Sequence, residues 1–401
     1  MTTDLEAKEL PQRISAWLDA WRPPDIKEHP IGVAVSGGGD SLALLRLVTA
    51  WARENAISLY VLTVDHGLRA ESAAETEFVA RIARDLDWPC DILRWSNGQP
   101  AARKARLGRH SLLAEACARH EIAHLMLGHT LDDQIETFLM RARQGSGWYG
   151  LAGMDRLSPS PAWPEGRGLT LVRPLLEEKR GVLRDWLVSQ QAEWFDDPTN
   201  QDERFERVRM RALLREYPQF AERISQMIPN FATLRQAEQA AIADVIETRV
   251  TCYPDASIDF DPAGLPGARA IRTLGWLVQA AAGKASMPRE AMLAEALAAL
   301  QTGKVEARTL AGAWLVAKAG GVISIYRDAG AMAENTETRP AFDGRFEKAP
   351  ARESWQPRDW RAARSLPPGD CDNWIALTGT RLAHLCSIWR QLPSLSHVEA
   401  Q

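Results

Sequence analysis

The chain has 401 residues, 45% apolar and 25% charged, with a formal net charge of −4 at pH 7. That length suits two or three globular domains, and no run of 18 apolar residues or basic-then-apolar start suggests a membrane span or a secretory signal. The five cysteines (Cys90, Cys117, Cys252, Cys371, Cys386) are scattered without a Cys-x-x-Cys, which argues against a disulfide framework, a zinc knuckle or an iron–sulfur cluster and for a reducing cytoplasm.

Residues 31–35 form an apolar run that reads as a buried strand. Ser36, Gly37, Gly38, Gly39, Asp40 and Ser41 follow. The periodic Leu42, Leu44, Leu45 and Val48 then read as a helix from Asp40 to about Asn55. Strand, glycine turn and helix make an anion site, because glycines admit close approach and the first helical amides lack partners. The Walker pattern and the Gly-x-Gly-x-x-Gly pattern are both absent. A carboxylate, Asp40, stands where a Walker loop has lysine, so the loop is expected to hold phosphate through amides and hydroxyls, with a metal ion beside Asp40.

Residues 59–64 read as a second strand, leading to the turn Asp65-His66-Gly67-Leu68-Arg69. Ser72 and Glu75 read as a capping box opening the next helix. Further strands are expected at residues 92–95, 125–127 and 171–172, the last ending at Arg173-Pro174. This alternation predicts an α/β fold, a doubly wound parallel sheet with ligands at the carboxyl ends of its strands. Residues 158–168, rich in proline and glycine, read as a loop. From Pro218 a long helix is expected, with Phe220, Ile224, Met227, Ile228, Phe231 and Leu234 as its apolar stripe. A β-hairpin around Gly320-Gly321 is expected to end the second domain, and residues 327–352 read as a linker. The expected domains are 1–217, a mainly helical 218–330, and a linker with a small C-terminal segment over 331–401.

The segment from Gly128 to Thr137 follows a strand and opens a helix. Asp133 and Glu136 are three apart and share a face, which suits a cation, either a metal or an ammonium group. Thr130 as N-cap and acids in the first turn account for Asp132 or Asp133 by helix capping alone. Capping does not account for Glu136, nor for His129 at the strand end. Basic residues cluster at Arg103, Lys104, Arg106 and Arg109, and at Arg204, Arg207, Arg209, Arg211 and Arg215. Such local patches bind phosphates even in a mildly acidic chain, although most arginines of this kind simply solvate a helix face.

The Ser36–Ser41 loop resembles the Ser-Gly-Gly-x-Asp-Ser loop of the N-type ATP pyrophosphatases, enzymes that cleave ATP between the α and β phosphates. Within that superfamily, His129, Asp132, Asp133, Gln134, Glu136 and Thr137 are similar to a block of the tRNA(Ile)-lysidine synthetases. Residues 141–154 and 105–110 also resemble that family, although His110 stands where it usually has Tyr. So do residues 197–202 with Phe205, Arg207 and Arg211, although Val208 stands where the family has Asn. The four motifs run in order over residues 30–215. The resemblance implies an adenine nucleotide α-hydrolase-like fold and a soluble cytoplasmic ligase. Its substrates would be ATP with Mg²⁺, free L-lysine and tRNA(Ile) with a CAU anticodon, whose wobble cytidine becomes lysidine. It implies ATP binding by Ser36, Gly37, Gly38, Gly39, Asp40, Ser41, Asp65, His66 and His129, with the metal at Asp40. It implies lysine binding by Asp133, Glu136, Arg109 and Arg207, and Asp40 joins these four in the catalytic set. Two other readings stay open, another ATP pyrophosphatase such as a tRNA thiolase and a non-catalytic tRNA-binding protein. A thiolase needs a sulfur carrier or active-site cysteines, and Cys117 alone lies near a motif. Intact Asp40, Asp133 and Glu136 argue against the second.

Overall fold

The computed structural model describes residues 2–65, 67, 70–95, 102–195, 204, 206–332, 343, 345–348, 357–364, 366 and 374–391. His66, Arg69, the 197–202 motif and Phe205 lie outside them. The chain divides into two compact units. One comprises Met1–Ser160, Leu169–Ala237 and Gln391–Gln401, the other Pro161–Gly168 and Glu238–Arg390.

The first unit opens with a helix that the sequence reading did not anticipate, α1 (Thr2–Trp21). It buries Leu10, Ile14, Leu18 and Trp21, which recur every three or four residues on one face. Then come β1 (Ile31–Ala34), α2 (Gly39–Asn55), β2 (Leu59–Asp65), α3 (Ala70–Asp85), β3 (Cys90–Arg94), α4 (Ala102–Arg119), β4 (His124–Leu127) and α5 (Leu131–Arg143). A short α6 (Trp148–Leu151), β5 (Leu157–Pro159), β6 (Thr170–Val172), α7 (Arg180–Ser189) and α8 (Glu206–Glu216) follow. The sheet order is β3-β2-β1-β4-β6-β5. All its pairings are parallel except β5 with β6. Its centre is apolar on both faces, with Val33, Val61, Leu62, Leu125 and Met126 buried, as a sheet covered by helices requires.

Two expectations change here. Helix α3 begins before Ser72, so Ser72 does not cap it. Its hydroxyl instead donates to Asp65 Oδ1 at 2.5 Å. The segment read as a loop from residue 158 begins inside β5, an edge strand, where Pro159 leaves no ladder hydrogen bond unmade.

β1 lies between β2 and β4, so the chain leaves it toward one side and later returns on the other. Strand order reverses at that point, and the carboxyl ends of β1 and β4 flank a crevice. The glycine loop and the 128–137 segment both emerge there. Gly128 lets them meet, because a Cβ on it would lie 3.0 Å from Ser41 Cα and 3.1 Å from the Asp40 carbonyl oxygen.

Helix α9 (Pro218–Arg249) carries the division between the units. Its apolar stripe is only half buried. Ile224 and Ile228 pack with Ile135 and Phe138, whereas Phe220, Met227 and Leu234 are exposed. The second unit contains β7 (Val250–Cys252), β8 (Ile258–Phe260), α10 (Gly267–Ala281), α11 (Glu290–Gln301), β9 (Ala307–Leu310), β10 (Ala313–Ala317) and β11 (Ile323–Arg327). Its strands form an antiparallel sheet in the order β7-β8-β11-β10-β9, which includes the anticipated hairpin as β10 and β11. Farther on are β12 (Phe346–Lys348), α12 (Trp360–Ala363), β13 (Trp374–Ala376) and α13 (Leu377–Gln391). Helix α13 buries Leu382, Leu385, Cys386 and Trp389 in the same core as Leu274, Leu277 and Ile325. Parts of the segment read as a linker are buried too. Arg327 and Arg345 both pair with Asp343, at 2.6 and 3.1 Å. Among the described residues, no helix is long and apolar enough to cross a membrane.

Candidate active site

The glycine loop is shaped for an anion. Gly37 has φ +87°, a backbone region that a side chain disfavours. Ser41 braces the loop, accepting from Ser36 N at 3.1 Å and donating to the Gly38 carbonyl at 2.9 Å. Gly38 is the N-cap of α2 and supplies no side-chain cap, so the first amides of the helix stay available to a ligand. The loop is held from behind by residues that the sequence reading passed over. Phe195 N donates to the Gly37 carbonyl at 3.0 Å, and a Cβ on Gly39 would touch the Trp194 ring at 3.5 Å.

At the start of α5, Thr130 and Asp133 form a capping box. Asp133 uses Oδ2 for this, accepting from Thr130 N at 3.0 Å. Its Oδ1 faces Arg180 Nη2 at 3.3 Å and Arg207 Nη1 at 3.7 Å. Glu136, 1% exposed, accepts from Arg211 Nε at 2.6 Å and lies 3.6 Å from Arg180 Nη1. Arg180 Nε donates to Asp40 Oδ2 at 2.9 Å. One guanidinium thus joins the acid of the glycine loop to both acids of α5. Asp132 does not cap its own helix. It accepts from Arg180 N at 2.8 Å and so caps α7, whose N-cap, Lys179, offers no side-chain oxygen.

Sequence reasoning missed Arg180. The signal was present but weak, the second of two adjacent basic residues, Lys179 and Arg180, at the start of a helical pattern seven positions after Arg173.

Burial pushes the Asp40 carboxyl above its ordinary value despite Arg180, and it does the same to Glu136 despite Arg211. Burial also opposes charge on Asp133, but Arg180, the Thr130 amide and Arg207 outweigh it and hold that carboxyl below the usual range. His129 is pushed down by burial and then by Arg173, so it is neutral, and its buried Nδ1 has no hydrogen-bond partner among the described residues. Burial and the nearby Arg109 and Arg106 push His110 down to about 3. Arg109 itself is lowered by burial and by the charges of Arg106 and Arg207. Among the described residues Arg106 and Arg109 have no carboxylate within ion-pair distance, so this cationic side of the site is available to an anion.

The predicted residues therefore fall into three groups. Ser36, Gly37, Gly38, Gly39, Asp40 and Ser41 converge with Asp133, Glu136, His129 and Arg207. Arg109 lies close enough to Arg207 for the two like charges to repel each other. The Asp65 carboxylate is engaged at its own turn, accepting from Gly67 N at 2.9 Å as well as from Ser72. His66 lies outside the described residues.

Other motif residues hold the segment that follows α5. Gln134 brackets Met154, accepting from its N–H at 2.6 Å and donating to its carbonyl at 2.9 Å. Arg141 donates to the carbonyls of Gly150 and Gly153 at 2.6 and 2.8 Å. Arg235 donates to the Gly153 carbonyl at 2.7 Å and pairs with Asp155.

The PP-loop domain family matches this chain over residues 9–217. The tRNA(Ile)-lysidine synthase of Hyphomonas neptunium is 45% identical over 74% of this chain and 81% of its own length. That of Ruegeria pomeroyi is 36% identical over 75% of this chain and 71% of its own length. The protein of the same description from Caulobacter vibrioides is 35% identical over 84% and 77%. Glycine loop, paired acids and flanking arginines thus sit in a chain that aligns with these proteins across both of its units, and the chain belongs to the tRNA(Ile)-lysidine synthase family of PP-loop proteins.

Proposed function

We propose that this chain converts the wobble cytidine of tRNA(Ile) with a CAU anticodon to lysidine, using ATP and free L-lysine. The observation that carries the reading is the convergence of Asp40 from the glycine loop with Asp133 and Glu136 from α5. It would set a phosphate-binding loop beside a pair of acids suited to an ammonium group, in a family whose members are named for lysidine synthesis.

The chemistry has two steps. The C2 carbonyl oxygen of cytidine attacks the α phosphorus of ATP, and pyrophosphate leaves. The amine of lysine then attacks C2, the C2–oxygen bond breaks, and AMP leaves with that oxygen while the nitrogen loses a proton. The amides at the start of α2, with Ser36 and Ser41, hold the departing pyrophosphate. Asp133 and Glu136 hold the lysine ammonium, and Arg109 and Arg207 hold the lysine carboxylate as planar donors. Neutral His129, two residues past β4, would offer a ring nitrogen to the nucleotide.

A Mg²⁺ ion fits Asp40, because magnesium usually takes one or two carboxylates and completes its shell with phosphate oxygens and water. When bound it would offset charge on the departing phosphates. A reaction that draws on ATP and free lysine would run in the cytoplasm. Residues 1–217 would carry catalysis, and residues 218–330 with 331–401 would grip the body of the tRNA, since one flipped-out cytidine occupies little surface.

The test is incorporation of labelled lysine into a tRNA(Ile) transcript bearing CAU. Label should appear only with ATP present, and a transcript bearing UAU should take none. ATP-dependent sulfur transfer in place of lysine incorporation would favour the thiolase reading, and tRNA binding with no ATP turnover the non-catalytic one.

A further inference from the structure

In the site, two buried carboxylates and a half-buried one meet three guanidiniums. Asp40, Asp133 and Glu136 have side chains 22%, 9% and 1% exposed, and Arg180, Arg207 and Arg211 face them. A lysine ammonium approaching Asp133 and Glu136 meets acids that are already neutralised. To gain a full ion pair it must replace a cation, because a fourth positive charge in a site of low polarity is repelled.

Arg207, 3.7 Å from Asp133, is the cation assigned to the lysine carboxylate, so the choice lies between Arg211 and Arg180. Arg211 holds Glu136 at 2.6 Å. Arg180 holds Glu136 at 3.6 Å and Asp133 at 3.3 Å, while its short contact is to Asp40 at 2.9 Å. Its grip on the α5 acids therefore depends on Asp40 keeping the guanidinium in place. The backbone of Arg180 is fixed by Asp132, so a change there is confined to the side chain.

We propose that Arg180 is a stand-in cation that couples the two small-molecule sites. It neutralises Asp40, Asp133 and Glu136 while they are empty, and it releases the α5 acids to lysine once ATP and its metal ion claim Asp40. The proposal rests on the reading of the site as one for ATP and free lysine. Arg180 acts here as a positioning residue. Freed from Asp40, its guanidinium turns toward the polyphosphate, so ATP binding lowers the cost of displacing it from Asp133 and Glu136. Linkage then requires that lysine also tighten ATP binding, by the same factor.

The measurement is calorimetric titration of L-lysine into the full-length protein, with and without Mg²⁺ and a non-hydrolysable ATP analogue. The wild-type Kd for lysine should fall by about fivefold or more when the analogue is present, within the usual span of such couplings. Arg180→Gln should bind lysine alone at least as tightly as wild type does, since the competing cation is gone, and the analogue should then change its Kd less than about twofold. Arg180→Lys keeps the charge, but a single ammonium does not span three carboxylates, so coupling should shrink while thermal stability stays near wild type. That variant decides the matter if Arg180→Gln does not fold. Coupling of wild-type size in either variant, or a wild-type protein that binds lysine without coupling, overturns the proposal. A wild-type protein that binds no lysine under either condition removes the reading of the site as well.

Discussion

Replacing Glu136 with glutamine keeps the size of the side chain and one acceptor but removes its charge. Glu136 is 1% exposed, 2.6 Å from Arg211 Nε and 3.6 Å from Arg180 Nη1. Cutting away one member of a buried ion pair typically costs about 3–5 kcal/mol. Here the expected cost is smaller. Burial raises the carboxyl pKa even with Arg211 in place, so the ionised form is held less favourably in the folded protein than in the unfolded chain. A neutral side chain escapes that penalty and loses part of the pairing. The two effects offset, and the change in unfolding free energy should stay within about 1 kcal/mol, the size of one ordinary hydrogen bond. Lysine use should suffer far more. A hydrogen bond to a charged partner contributes about 1.5–3 kcal/mol and a neutral one about 0.5–1.5, so losing the charge weakens lysine binding by about 1–1.5 kcal/mol. At ~1.4 kcal/mol per factor of ten, that is about a 5- to 12-fold rise in the KM for lysine. ATP–pyrophosphate exchange with tRNA present should change little. Urea denaturation, exchange and lysine incorporation measured on one preparation test all three statements. Equal losses in exchange and lysine transfer would place Glu136 at the nucleotide, and a stability loss of about 3 kcal/mol or more would make it a structural counter-ion of Arg211.

Asp40→Ala should lower pyrophosphate release by at least ~100-fold with circular dichroism unchanged, and near wild-type turnover would remove Asp40 from the phosphate site. Gly128→Ala places a methyl group 3.0 Å from Ser41 Cα, against backbone rather than a movable side chain, so it should cost about 1–3 kcal/mol of stability and weaken ATP binding. Native stability with an unchanged KM for ATP would show that the two segments do not need this approach. A raised folded-state pKa means that Glu136 stabilises the ligand-free protein at low pH and that this contribution is lost as pH climbs from about 4.5 through the raised value. The stability of wild type minus that of Glu136→Gln should therefore fall as pH rises across that window, and a difference that grows instead contradicts the sign. Affinity for tRNA should fall steeply with salt, and Arg215→Ala, at an exposed position on α8, should reduce the log–log slope by about 0.7 for one single-strand phosphate contact.

What the sequence disclosed is local. The run Ser36 to Ser41 lies between a strand and a helix that their own neighbouring residues spell out, so its place at the carboxyl end of a strand follows from nearby positions alone. Thr130 with Asp133 is likewise a contact three residues apart, and both were legible. The missing parts are contacts over long separations. Arg180 meets Asp40 across 140 residues and Asp133 across 47. Phe195 supports Gly37, and Asp132 caps a helix that begins 48 positions later. No spacing rule reaches these pairs, because the fold alone makes them neighbours. Helix α1 escaped for another reason. Its mean hydropathy is close to neutral, and Pro11 inside it reads as a breaker.

Asp133 shows why weighing helix capping against function was the wrong contest at that position. The two readings use different oxygens of one carboxylate. Oδ2 takes the Thr130 amide and closes the capping box, which fixes the side-chain rotamer at the helix start. Oδ1 is thereby aimed at Arg180 and Arg207, with no freedom left to turn away. The capping bond is what orients the contact with the guanidiniums. A helix N-terminus also favours negative charge, so the carboxylate stays ionised although it is buried, as its lowered pKa requires. Glu136, one turn farther along, has no such support. Burial raises its pKa, and it depends on guanidiniums brought from α7 and α8. Of the two acids, Asp133 is therefore the preorganised one. Glu136 is the one whose charge state responds when a cation leaves or enters.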